Sequence, residues 1–370
     1  MTPGGVLLSA VMLGSLTLAS WATAEERIPP QATKPDGSPN RAVWMARGTY
    51  GVMTHYLLQP QGATPQERTA DLNRIVDRFD LDHFTRQIEE TGADWLILTL
   101  GQTTGYLCSP NAYLDIRAPG RTPRRDIALE IAQRLRDLRK RLILYLPSER
   151  QADPVIQAAL DSGTDGYPGR YLEFLRTYSL KLGKLHHGWW FDGCAPHPDA
   201  YWQDWLAAVR AGNPEAVVAF SGAEFCTGGP IDPVCRLEDY HAGEVHLLED
   251  GEIRRDFLPP GGDIIVTADR KLRLRGQEAR LYMPDGPFLD GVQWHCLLPL
   301  DLTFNPAVPN QFCHYTDKEL LQFVRDIKGV GGAITINVPI EVNTGHIPED
   351  SHAALVRLRR NLRGLAGRPG

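Results

Sequence analysis

The sequence has no excess of positive charge: 39 Lys and Arg stand against 45 Asp and Glu, a formal charge of −6 over 370 residues. Phosphate recognition needs a clustered cationic surplus, so this balance argues against a nucleic-acid partner. The motifs of several chemistries are missing as well. No Gly-x-Gly-x-x-Gly or P-loop follows the first predicted strand, which removes the simplest nucleotide-binding reading. There is no Gly-x-Ser-x-Gly elbow, and Ser148 and Ser221 have no triad context, so acyl transfer has no support. Neither His-Glu-x-x-His nor Cys-x-x-Cys occurs, and no metal and no cofactor is expected.

The first 24 residues contain no Asp, Glu, Lys or Arg, and the apolar stretch Val6–Ala19 is too short for a membrane span of about 20 residues. It reads as the apolar core of a signal peptide, with Ala22-Thr23-Ala24 supplying the small-x-small cleavage pattern. An uncleaved anchor is the competing reading, because no basic residue precedes the apolar stretch. No Cys follows it, so no lipid anchor is indicated, and the expectation is a secreted or periplasmic chain without stable membrane insertion. Residues 25–42 are polar and Pro-rich, an extended arm or linker, and residues 43–370 are taken as one catalytic domain. Six cysteines (108, 194, 226, 235, 296 and 313) are too few for a disulfide scaffold; Cys226 and Cys235, close in a Gly/Pro-rich loop, are the preferred pair.

From Val43 on, short apolar runs alternate with helical patterns, which implies a largely parallel sheet. Strands are predicted at 49–55, 95–99, 142–146, 189–192, 217–220, 264–267, 292–294 and 333–338. Helices are predicted at 81–91, 125–139, 171–182, 200–211, 316–327 and 349–362, with the weakest pattern between 221 and 290. Eight strands with interleaved helices and no internal repeat fit a somewhat irregular (β/α)8 TIM-like barrel, with a doubly wound open sheet as the competitor.

In such a barrel the chemistry sits at the carboxyl ends of the strands. Trp189-Trp190-Phe191-Asp192-Gly193 is an aromatic strand ending in a carboxylate, and its period of two puts Trp190 and Asp192 on one face. An indole beside a carboxylate suits a sugar, whose apolar face stacks on the ring while the carboxylate meets the anomeric carbon. Asp192 as the cap of the following turn is the plainer alternative. The loop Glu238-Asp239-Tyr240-His241-Ala242-Gly243-Glu244 offers a second carboxyl, as glycoside cleavage commonly requires, against the alternative of a solvated acidic loop. Glu224 and Glu149 are rival acids. His55 and Gln102, at predicted strand ends, can donate hydrogen bonds to ring hydroxyls. Together with Tyr106, Trp190 and Trp294 they form the candidate substrate-binding set.

Several of these segments, taken in order, resemble the retaining α-L-fucosidase family of glycoside hydrolases. Tyr50-Gly51-Val52-Met53-Thr54-His55 is similar to the family's first strand ending in a sugar-binding His, and Gly92-Ala93-Asp94-Trp95 running into Leu98-Thr99 to its second. Trp189 to Gly193 resembles the nucleophile strand, and Asp239 to Glu244 the acid/base motif of some members. Gly331 to Pro339 with Gly345-His346-Ile347-Pro348 resembles the last strand and its following turn. The resemblance implies a barrel in which Asp192 is the nucleophile and Glu244 the acid/base, acting on terminal α-linked L-fucose of a glycan or polysaccharide. Two departures stand out: Gln102-Thr103 occupy the place of an adjacent His-His pair, and the carboxyl-terminal β-sandwich of many members has no counterpart. The first keeps two further readings open, a carbohydrate-binding barrel without activity and a glycosidase for a different sugar.

Overall fold

A computed structural model describes residues 28–149, 152–160, 168–222, 233–244, 264–266, 272–274, 284–300 and 315–366. Residues 1–24, expected from sequence to be a signal peptide, and Glu224, Cys226 and Cys313 lie outside the described residues. Seven parallel strands form one sheet: β1 (Gly51–Thr54), β2 (Trp95–Thr99), β3 (Arg141–Pro147), β4 (Gly188–Asp192), β5 (Val217–Phe220), β6 (His295–Pro299) and β7 (Ala333–Val338). Their order is β6-β7-β1-β2-β3-β4-β5. Strands buried on both faces read as almost continuous apolar runs, and these do. One parity (Val52, Leu96, Leu98, Leu144, Trp189, Phe191, Ile336) packs outward under the helices. The other (Met53, Ile97, Ile143, Tyr145, Trp190, Ala219, Leu297) packs into a separate inner core. The architecture is therefore an α/β half-barrel with an enclosed interior.

Between its two edges, β5 and β6, no eighth regular strand occurs among the described residues. The segment 238–244 spans the gap instead. Asp239 N–H donates to Val218 O at 2.9 Å, His241 N–H to Gln293 O at 2.9 Å, and Leu297 N–H to Gly243 O at 2.6 Å. Gly243 is required here: its φ is +70°, and a Cβ would lie 2.1 Å from the His295 carbonyl oxygen.

The predicted strand at 264–267 is real over Ile264–Val266 but pairs antiparallel with Leu272–Leu274, away from the main sheet. The predicted strand at 292–294 is a correction of register. Asp290 and Gly291, both at positive φ, make a tight turn that folds Val292–Gln293 back on Phe288–Leu289, and the sheet strand begins one residue after Trp294. All six predicted helices are present, and Pro65–Asp77 adds a long one, entered through a capping box of Thr64 and Glu67.

The described part of the arm, 28–42, is packed rather than free. Ile28 N–H donates to Gly329 O, Asn40 Nδ2 donates to Gln293 Oε1 at 2.8 Å, and Lys34 Nζ donates to Glu238 O at 2.8 Å. Ala42 and Met45 then enter the inner core beside Met53, Trp95 and Ala333, at the amino end of the strands. Cys235 is a free, buried thiol that accepts from Leu237 N–H; its preferred partner, Cys226, lies outside the described residues. Among the described residues no helix is long and apolar enough to cross a membrane.

Candidate active site

The carboxyl ends of five strands and of the spanning segment converge on Asp192, the last residue of β4. On β3, inward parity places Tyr145 opposite Trp190, and the two rings stack with centroids 5.1 Å apart. The Tyr145 hydroxyl donates to Asp192 Oδ2 at 2.6 Å. Gln102, just beyond β2, donates through Nε2 to the Tyr145 hydroxyl oxygen at 2.6 Å and to Asp192 Oδ2 at 3.2 Å. One carboxylate oxygen thus takes two donors, an arrangement that fixes its rotamer.

Across the mouth, Ser221 after β5 donates its hydroxyl to Glu244 Oε2 at 2.6 Å. Trp190 Nε1 donates to Ala242 O at 3.2 Å, so the strand that ends in Asp192 is tied to the segment that ends in Glu244. On the other side, His55 follows β1. Its Nδ1 lies 3.3 Å from Asn337 Oδ1 on β7, and its ring meets Tyr145 edge-to-face at 5.3 Å. The amide Nδ2 of Asn337 is buried with no hydrogen-bond partner in the protein. An unpaired buried donor at a site mouth is a group that a ligand hydroxyl can satisfy.

The electrostatics follow from this packing. Burial raises the Asp192 pKa, and hydrogen bonds from Tyr145, Gln102 and the Gly193 N–H oppose the rise. The Tyr145 phenol is pushed well above its ordinary value, first by burial and then by the negative charges of Asp192 and Glu244, so it stays a donor. Burial takes His55 down to about 4, which leaves it a neutral imidazole near pH 7. Tyr145→Phe removes a donor from a charged acceptor. We expect kcat/KM to fall about ten- to a hundred-fold. The remaining carboxylate loses one opposing bond, its pKa rises further, and the acid limb of the pH–rate profile moves to higher pH. A limb that stays in place or moves to lower pH contradicts this coupling.

Of the residues singled out from sequence, His55, Gln102, Trp190, Asp192 and Glu244 are brought around one mouth. Two are not. Trp294 precedes β6 at the amino end of the sheet, buried in the outer core with its backbone N–H bonded to Pro287 O; its misplacement follows from the register of the 288–293 hairpin. The Tyr106 ring lies under the Arg121 guanidinium, 4.7 Å from the ring centroid, and that guanidinium pairs with Asp153. Glu149 is buried and accepts from the Tyr201 hydroxyl. Tyr145, Ser221 and Asn337 had no place in the sequence-based set. Asn337 carries a readable signal, a polar residue at an inward position near the carboxyl end of a predicted strand.

No known family profile and no curated protein matches this chain. Solved structures do match in fold. Endo-fucoidan hydrolase MfFcnA4 from glycoside hydrolase family 107 superposes with a TM-score of 0.58 at 17% identity over 90% of this chain and 54% of its own. Endo-fucoidan hydrolase P5AFcnA from the same family gives 0.58 at 15% identity over 89% and 95%. Alpha-L-fucosidase AlfC from Lactobacillus casei, in complex with alpha-L-fucose, gives 0.54 at 13% identity over 89% and 100%. This chain therefore spans about half of the first of these proteins and nearly all of the other two.

Proposed function

We propose that this chain is an exported retaining glycoside hydrolase acting on α-L-fucosyl linkages. The observation that carries the proposal is the clamp on Asp192: a strand-end carboxylate held by Tyr145 and Gln102, with a second carboxyl, Glu244, held by Ser221 and near enough to raise the pKa of the same Tyr145 phenol. The fold shared with fucosidases and endo-fucoidan hydrolases supports the sugar assignment. In the first step Asp192 attacks the anomeric carbon while Glu244 gives its proton to the departing oxygen. In the second, Glu244 takes a proton from water, which displaces Asp192 from the glycosyl-enzyme and restores both groups. Retention calls for carboxyls about 5–5.5 Å apart. The unpaired amide of Asn337 is then the donor that meets a ring hydroxyl, and His55, a neutral imidazole whose Nδ1–H faces Asn337 Oδ1, presents Nε2 as an acceptor.

Gln102 takes part differently from a His pair. It spends its amide on Asp192 and Tyr145, leaving His55 and Asn337 as the mouth's polar contacts for the sugar. A panel of aryl α- and β-glycosides tests activity and sugar identity together. Release from the α-L-fucoside above all others is the expected result. Turnover confined to another sugar overturns the fucosyl assignment, and binding without turnover of any of them overturns the enzyme.

A further inference from the structure

A second cluster of chemically competent side chains lies in the outer helical layer, apart from Asp192. Asp80, His83 and His346 each offer a ligand atom, and the three atoms lie within 4.8 Å of one another. The two imidazoles face each other with centroids 3.9 Å apart and an interplanar angle of 32°. His346 Nε2 is buried without a hydrogen-bond partner and points toward Asp80 Oδ2, 3.7 Å away. The arrangement is preorganised by its supports. Asp80 caps the helix Leu81–Thr91, its Oδ1 accepting from His83 N–H at 2.9 Å, which leaves Oδ2 for another partner. The turn that carries His346 is fastened to the same helix twice: Gln87 exchanges two hydrogen bonds of 2.8 Å with the Ile347 backbone, and Asp80 N–H donates to Thr344 O at 2.8 Å. Gly345, at φ +76°, admits this close approach, since a Cβ would sit 2.4 Å from the Phe79 ring.

We propose that Asp80, His83 and His346 form a binding site for a divalent first-row transition ion, with zinc the natural candidate. Two imidazoles and one carboxylate are a donor set for zinc and its neighbours rather than for magnesium or calcium, which favour all-oxygen shells. Zinc bonds of about 2.0–2.2 Å put tetrahedral ligands roughly 3.4 Å apart, so small rotations of the two rings bring the set onto one ion, with water in the fourth position. The exposed Arg86 guanidinium, whose Nη2 lies 3.3 Å from His83 Nδ1, swings aside on binding. The ion would pin the turn after β7 to the helix Leu81–Thr91 that leads into β2, beside the seam where β7 pairs with β1.

Chelator-treated full-length protein titrated with Zn2+ in a calorimeter provides the test. One ion per chain at a micromolar dissociation constant is expected, with a melting temperature raised by several degrees. Co2+ in its place should give visible d–d bands without a sulfur charge-transfer band. The His83→Gln/His346→Gln double variant should lose at least a hundred-fold in affinity while keeping its metal-free melting temperature. Absence of Zn2+ binding below about a hundred micromolar, a sulfur charge-transfer band, or affinity retained in the double variant overturns the site. The Co2+ spectrum of the unaltered protein decides even where the variant does not fold.

Discussion

Asp192→Ala is expected to lower turnover of an activated aryl α-L-fucoside by about four to six orders of magnitude, the scale on which removal of a covalent nucleophile acts. That loss corresponds to about 5–8 kcal/mol of transition-state stabilisation. The fold should not suffer. The carboxylate is held in surroundings that raise its pKa, so its removal relieves an unfavourable burial while the backbone keeps its own bonds, Ser148 N–H to Asp192 O and Ser221 N–H to Phe191 O. A melting temperature equal to or above that of the parent, with turnover gone, separates a chemical role for Asp192 from a capping one. Parent-like turnover in the variant removes the nucleophile assignment.

Glu244→Ala should act in two unequal steps. With a good aryl leaving group the first displacement needs little protonation, so the glycosyl-enzyme still forms. The second displacement needs a base for water and slows by about 10²- to 10⁴-fold. Azide needs no base, and adding it should restore turnover and yield the glycosyl azide of retained configuration. Ser221→Ala removes a hydroxyl that orients Glu244 and should show a milder form of the same behaviour. Failure of azide to rescue Glu244→Ala moves the acid/base role elsewhere, to Glu149 or Glu224.

The site was legible in the sequence where strand parity and chain position agreed. Trp190 and Asp192 were placed on one face by period two alone, and both face the interior. Glu244 required more, because the segment carrying it is neither strand nor helix. It is held by scattered backbone bonds to Val218, Gln293 and Leu297 that no local pattern announces. Tyr145 was hidden by its context: inside Leu142-Ile143-Leu144-Tyr145-Leu146 an aromatic residue reads as core, and only the neighbouring strand's register shows its hydroxyl reaching a carboxylate. Trp294 failed for the opposite reason. The turn at Asp290-Gly291 is a recognisable hairpin signal, and reading it would have moved the sheet strand to 295–299 and Trp294 to the amino end.

The arm shows the limit of composition as a guide. Polar, Pro-rich residues promise little burial, yet the chain from Ile28 to Ala42 gains its order from partners contributed by residues some 200 to 300 positions away, among them Glu238, Gln293 and Gly329. Such contacts exist only once the sheet has curved. The same holds for Asp80, His83 and His346, which are unremarkable in sequence and meet because β7 pairs with β1.

The double-displacement mechanism requires Asp192 to form a covalent bond to the sugar during turnover. Incubation with a 2-deoxy-2-fluoro-α-L-fucosyl donor bearing an activated leaving group, followed by proteolysis and mass spectrometry, measures this directly. The peptide containing Trp189 to Gly193 should carry one fluorosugar, attached to Asp192. A label on any other residue, or an active enzyme that is never labelled, would contradict it.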